Sequence, residues 1–118
     1  MTIPKEALLL RVYLGHADRH GSVPLYEAIV LKAREAGLAG ATVLRGPLGF
    51  GASSRLHSAK ILRLSVDLPV VVEIVDGREK IEAFLPLLDA LTGPDSGVLV
   101  TLEEIAVHRY SGKKLAAS

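Results

Sequence analysis

Between Arg45 and Arg63 the sequence gathers the groups that a phosphate-binding loop needs. Gly46, Gly49 and Gly51 stand within six residues, and Ser53, Ser54, Arg55, His57 and Lys60 follow. Glycines at this density let the backbone take φ > 0 and approach a ligand closely. Their N–H groups can line up as an anion-binding nest, although a plain flexible turn uses the same residues. Arg45, Arg55, Lys60 and Arg63 either stand as solvated surface cations or supply charge to a phosphate, each such hydrogen bond contributing about 1.5–3 kcal/mol. Arg45 and Lys60 lie nearest the loop's two anchors and are the preferred pair. A Walker loop would end in Gly-Lys-Ser/Thr, which is missing here. A Rossmann fingerprint would need further βαβ units that 118 residues do not supply. The expectation is a ligand-responsive loop over residues 46–66, with a nucleotide as the ligand.

Other constellations point less firmly to chemistry. His16-x-Asp18-x-His20 could present three metal ligands on one side of an extended turn, with His57 joining them; polar turn residues of no special purpose read the same way. Ser53 or Ser54 with His57 and Asp67 has the composition of a hydrolytic triad, but no Gly-x-Ser-x-Gly elbow carries the serine. Asp76 and Glu79 read as a helix capping box and Glu103-Glu104 as a solvated strand edge, so no carboxylate pair stands out for acid–base work. An enzyme is therefore not expected. Two alternatives stay open: a divalent-metal-binding protein using His16, Asp18 and His20, and a small trimeric enzyme with a site between subunits.

The bulk properties narrow the field. A net charge of +1 and no basic run beyond Lys113-Lys114 make nucleic acid an unexpected partner. Cysteine is absent, which excludes disulfides, thiolate metal sites and thiol catalysis. No apolar run approaches the ~20 residues of a membrane span, and no signal-like segment opens the chain. A soluble, cytoplasmic protein without membrane insertion is the expectation. One domain over residues 1–118 suits the length, and 49% hydrophobic with 4% aromatic residues indicates an aliphatic core.

The elements that must position the loop follow from periodicity. Lys5 to Leu14 alternates as a strand with Leu8, Leu10, Val12 and Leu14 on its dry face. Ser22 as N-cap and Pro24 in the first turn open a helix carrying Leu25, Ala28, Ile29, Ala33 and Ala36, which Gly37 stops. Ala41 to Arg45 is a second strand, and Leu68 to Val75 a third with the alternation of the first. A second helix buries Ile81, Phe84, Leu85, Leu88 and Leu91, with Pro86 expected to bend it or free a carbonyl. A Gly-rich turn over Thr92–Gly97 leads into a last strand, Val98 to His108, with a bulge at Glu103-Glu104 where alternation slips. Residues 111–118 read as a flexible tail.

The order βαββαβ predicts an α+β, ferredoxin-like sandwich: a four-stranded antiparallel sheet with two helices on one face. Leu9, Tyr13, Val71, Val75, Ile105 and Val107 are then left on the other face, an apolar surface that implies a symmetric oligomer. Arg11 and Glu73 on that face are either a cross-strand pair or two solvated charges.

Gly40-Ala41-Thr42-Val43 leading to Gly49-Phe50-Gly51 resembles the PII signal-transduction proteins, where a strand runs through Gly-Phe-Gly into the long T-loop. Leu91-Thr92-Gly93 resembles the start of their B-loop, and Glu103-Glu104 with Ser111-Gly112-Lys113 their last strand and C-terminal loop. The fuller resemblance is to the PII-like family labelled domain of unknown function 190. It is carried by Pro24–Ile29, Gly37–Gly46, Ala59–Leu64 and Asp67–Asp76, and extends from about Leu8 to Val107.

This resemblance implies a homotrimer that binds an adenine nucleotide (AMP, ADP or ATP) in clefts between subunits. The 46–66 loop would act as a T-loop on a target protein such as a membrane transporter or an enzyme. It also implies that Gly49, Phe50 and Gly51 lie at the nucleotide beside Arg45, Gly46 and Lys60. Gly93 and Gly97 would wrap phosphate, and His108 and Arg109 would stand near the arginine pair that PII proteins place on phosphates. This chain has one arginine there, and its B-loop-like turn is shorter and lacks the following lysine. A mono- or diphosphate therefore suits it at least as well as a triphosphate. The tyrosine that some PII proteins modify at the loop tip has no counterpart.

Overall fold

A computed structural model describes residues 3–50, the backbone of 57–58, and residues 68–111. In chain order the elements are β1 (Glu6–Gly15), β2 (Arg19–His20), β3 (Val23–Pro24), α1 (Leu25–Glu35), β4 (Thr42–Arg45), β5 (Leu48–Gly49), β6 (His57–Ser58), β7 (Pro69–Asp76), α2 (Arg78–Thr92) and β8 (Leu99–Ala106). The main sheet has the order β4-β7-β1-β8, every neighbouring pair antiparallel. That is the ferredoxin-like arrangement the alternation predicts. The third expected strand is β7 and the last is β8.

Alternation decides which face is dry. Leu8, Leu10, Val12 and Leu14 of β1 and Val70, Val72 and Ile74 of β7 all point to the helical side and are buried. They meet Leu25, Ile29 and Ala33 of α1 and Ile81, Phe84 and Leu88 of α2 in one aliphatic core. Each of these side chains other than Ala33 contributes about 1.5–3 kcal/mol by leaving water. Of the remaining expected stripe residues, Leu85 and Leu91 pack at the margin of this core, while Ala36 is exposed. Pro86 lies inside α2 on its exposed side, and the helix runs unbroken from Arg78 to Thr92 around it.

Four local expectations need correction. Ser22 does not cap α1: Arg19–His20 and Val23–Pro24 pair as a small ribbon with Ser22 in its turn. Pro24, held extended by that pairing, is itself the N-cap, and the Leu25 N–H donates to the Asp18 carbonyl at 2.7 Å. Asp76 is not the cap of α2 either. The N-cap is Gly77, and no side chain caps it. The bulge at Glu103-Glu104 is absent, since β8 pairs with β1 residue for residue from Leu99↔Tyr13 to Ala106↔Glu6. The strand also ends at Ala106 rather than His108. Gly37 does end α1, at φ +80°, with the Leu38 N–H returning to the Ala33 carbonyl.

Among the described residues, no helix lies on the opposite face of the sheet. Leu44, Val71, Tyr13 and Leu99 stand side by side across all four strands as one apolar row. Leu44 is 49% exposed and Leu99 56%. The next row is polar: Thr42, Glu73, Arg11 and Thr101. Leu9 and Val75 stand beyond it, with Glu103 opposite Leu9. Arg11 and Glu73 do pair, Nε to Oε2 at 3.0 Å, and the Arg11 Nη1 also reaches Glu103 Oε1 at 3.1 Å. The hydrogen bond to Glu73 raises the Arg11 guanidinium above its ordinary range, so it stays charged at any working pH. Among the described residues, no helix is long and apolar enough to cross a membrane.

Candidate functional site

The antiparallel order sorts the expected site residues to the two ends of the sheet. At one end, β4 finishes in Arg45 beside the start of β7, and the Gly46 N–H donates to the Pro69 carbonyl at 2.8 Å. A Cβ on Gly46 or on Gly49 would stand 3.2 Å from Pro69 Cγ. Neither residue has positive φ. The 46–49 turn lies close against the Pro69 ring, which would have to shift to admit a side chain at either position: a close approach rather than the left-handed backbone the sequence suggested. Arg45 is exposed, and Phe50 is 70% exposed. β5 and β6 pair Leu48 with Ser58 and Gly49 with His57, a short ribbon within the 46–66 loop. Gly51 and Lys60 lie outside the described residues, as do Ser53, Ser54, Arg55, Arg63, Asp67 and most of the 46–66 loop.

The turn after α2 belongs to the same end. Gly93 (φ 77°) and Gly97 (φ 78°) both have positive φ. The Gly93 N–H donates back to the Asp89 carbonyl at 2.9 Å, and Ser96 Oγ bridges the Gly93 carbonyl (3.1 Å) and the Val98 N–H (3.3 Å). The turn is thus held in shape by its own groups before any ligand arrives.

His16, Asp18 and His20 do not converge. Asp18 Oδ2 accepts the Gly15 N–H at 2.9 Å and so closes the turn. His16 lies against the Tyr26 ring, 5.2 Å between centroids, with Nε2 3.3 Å from the Tyr26 hydroxyl. His20 sits exposed on the β2–β3 ribbon. Among the described residues, no group of three His, Asp or Glu side chains is placed to hold a metal ion.

His108 and Arg109 stand at the other end. The Val107 N–H donates to the Lys5 carbonyl at 2.7 Å as β8 finishes, and His108 and Arg109 follow, both exposed. From Ala106↔Glu6 to Leu99↔Tyr13 is seven register steps along β1, or about 23 Å at ~3.3 Å per residue. Within one chain, Gly46, Gly49, Gly93 and Gly97 therefore cannot share a small ligand with His108 and Arg109.

Sequence reasoning missed what organises this second end. Asp76, 1% exposed, accepts the Gly77 N–H on Oδ1 (2.7 Å) and the Ala39 N–H on Oδ2 (3.0 Å). The Lys80 Nζ, 4.0 Å from Oδ2, donates to the Gly37 carbonyl at 2.6 Å. The Tyr110 hydroxyl donates to the Ala39 carbonyl at 2.9 Å. The connection between α1 and β4 is thereby fastened to β7, α2 and the C-terminal segment. An acid ending an apolar strand was the visible signal, but its partner lies 37 residues away.

The family model DUF190, described as "Uncharacterized ACR", matches residues 7–107 of the chain. The chain belongs to the DUF190 family. It is 38% identical over 99 residues to a UPF0166 protein of Aquifex aeolicus, covering 84% of this chain and 90% of that one. Among solved structures the DUF190 chain is similar to a Thermus thermophilus protein described as a putative PII-like signalling protein. That match has a TM-score of 0.63 and 17% identity, over 86% of this chain and 89% of the other. It is also similar to CPII of Thiomonas intermedia, a nitrogen regulatory PII-like protein bound to ADP, AMP and bicarbonate. Here the TM-score is 0.52 and the identity 18%, over 86% and 90% of the two chains. At these identities the likeness shows the fold.

Proposed function

We propose that this DUF190 chain is a non-enzymatic, PII-like regulator that works as a homotrimer. An adenine nucleotide sits in each cleft between subunits and selects the conformation of the 46–66 loop, which then acts on a partner protein. Binding shifts the loop only insofar as the nucleotide favours one loop state over the other. The observation that carries this reading is the division of the candidate residues between opposite ends of one sheet. A second copy has to bring His108 and Arg109 to the glycine turns of the first. The uncovered face, with its row of Leu44, Val71, Tyr13 and Leu99, offers the surface on which copies meet. ADP and AMP, bound by the similar CPII, set the ligand class to test. Main-chain N–H groups around Gly49, Gly51 and Gly97 would meet the phosphates, with Arg45, Lys60, His108 and Arg109 adding charge.

Calorimetric titration with AMP, ADP and ATP tests the ligand, and mixed oligomers test the geometry. One variant carries Arg109→Ala and the other Gly49→Val, each expected to bind ADP poorly alone. Mixed trimers contain a cleft with both halves intact, so co-refolded variants regain a fraction of the wild-type ADP sites. Absence of heat with all three nucleotides at near-millimolar concentration overturns the reading. Failure of the mixture to recover sites, while the wild type binds, overturns the inter-subunit placement.

A further inference from the structure

We propose that Tyr110 is a positioning residue for the phosphate end of the nucleotide: its hydroxyl latches the segment after β8 onto the α1–β4 connection and so holds His108 and Arg109 in place. The inference rests on the reading above, in which those two side chains face phosphate, and extends it to a residue that touches no ligand itself.

The Ala39 peptide is gripped from both sides. Its N–H donates to Asp76 Oδ2 (3.0 Å) and its carbonyl accepts from the Tyr110 hydroxyl (2.9 Å). Asp76 is in turn fixed by its burial and by the Gly77 N–H at 2.7 Å. Lys80 holds the same connection at the Gly37 carbonyl. Tyr110 therefore bonds to an anchor that is itself held by hydrogen bonds to Asp76 and Lys80. On the other side of His108 and Arg109, the Val107 N–H is tied to the Lys5 carbonyl at 2.7 Å. These two anchors bracket a pair of exposed side chains. Without the second anchor, His108 and Arg109 hang from Val107 alone, and ordering them opposes ligand binding. The latch can also be removed without disturbing the fold, because Tyr110 is 43% exposed and contributes nothing to the buried core.

The test compares Tyr110→Phe with the wild type in the full chain. Phenylalanine keeps the ring and deletes only the donor. ADP affinity should fall by about fivefold, the range of one ordinary hydrogen bond, while adenosine affinity stays unchanged because adenosine offers no phosphate. Arg109→Ala should weaken ADP as well. Should Arg109→Ala weaken ADP while Tyr110→Phe does not, or should Tyr110→Phe weaken adenosine equally, the positioning role is overturned and the nucleotide reading stands. If the wild type binds no ADP, the reading falls, and the phosphate role of Tyr110 falls with it. The latch itself is then judged without ligand. Amide hydrogen exchange at Ala39 and Val107, the hydrogen-bonded amides on either side of the latch, should rise about fivefold in Tyr110→Phe, and unchanged exchange overturns it.

Discussion

Replacing Asp76 with alanine should be among the costliest polar substitutions in this chain. The carboxylate is 1% exposed and accepts two main-chain N–H groups, from Gly77 at 2.7 Å and Ala39 at 3.0 Å. Alanine leaves both donors without that acceptor. The Gly77 amide is buried and would lose about 2 kcal/mol, whereas Ala39 is half-buried, nearer to water, and would lose about 1 kcal/mol. Lys80 adds little, since its ammonium is 4.0 Å away and largely exposed. The expected loss is thus about 3 kcal/mol, set against the roughly 5–15 kcal/mol that holds a typical domain folded. Asp76→Asn keeps one carbonyl oxygen but turns an NH₂ toward the second donor, so it should fall between alanine and wild type. Urea unfolding followed by circular dichroism, at one fixed protein concentration because association would add to apparent stability, measures both. A loss below about 1 kcal/mol for Asp76→Ala at unchanged m-value would overturn this assignment. The two amides would then have other partners, and the Ala39 anchor would not depend on this carboxylate.

Two further substitutions probe the uncovered face and the base of the loop. Leu44→Asp places a charge in the apolar row at a position already 49% exposed in the single chain. It should leave the fold intact and reduce the mass seen by light scattering from that of the proposed trimer to that of a monomer; an unchanged mass would remove this row from the interface. Gly49→Ala should destabilise by about 1 kcal/mol, because its Cβ would lie 3.2 Å from Pro69 Cγ and the ring must give way. In a Pro69→Ala background most of that cost should vanish. A double-mutant cycle with no coupling would show that the glycine answers to something other than the proline.

The sheet was legible because strand alternation and face burial are the same physical fact. Leu8, Leu10, Val12 and Leu14 announce the dry side of β1 before any partner is known, and the short connections leave few ways to order the strands. Ser22 lost its capping role to a local ribbon over residues 19–24, whereas the corrections at Asp76 and at Glu103-Glu104 each involve a partner distant in sequence. Asp76 and Glu79 have the spacing of a capping box, yet the carboxylate is drawn to Ala39 rather than to the α2 amides. Glu103 and Glu104 interrupt alternation as a bulge would. In a regular register, however, Glu103 meets Arg11 on the open face and Glu104 meets Arg78 on the helical face, at 3.1 and 2.6 Å. Gly46 and Gly49 read as residues wanting unusual torsions, while their real constraint is the ring of Pro69.

A motif search groups residues by sequence neighbourhood and by family position, and neither says which end of a sheet a residue occupies. An antiparallel β1–β8 pair sends residues that follow β8 to the start of β1, and a β4 that pairs antiparallel to β7 sends the loop to the opposite end. Topology alone thus separates His108 and Arg109 from Gly46 and Gly49. Side-chain motion cannot close a gap of about 23 Å. If both sets serve one ligand, two chains must supply them, and each chain must then hold its half in place unaided. At the glycine end, Ser96 and Pro69 hold the turns. At the other end that task falls to Asp76, Lys80 and Tyr110, acting on the short connection between α1 and β4.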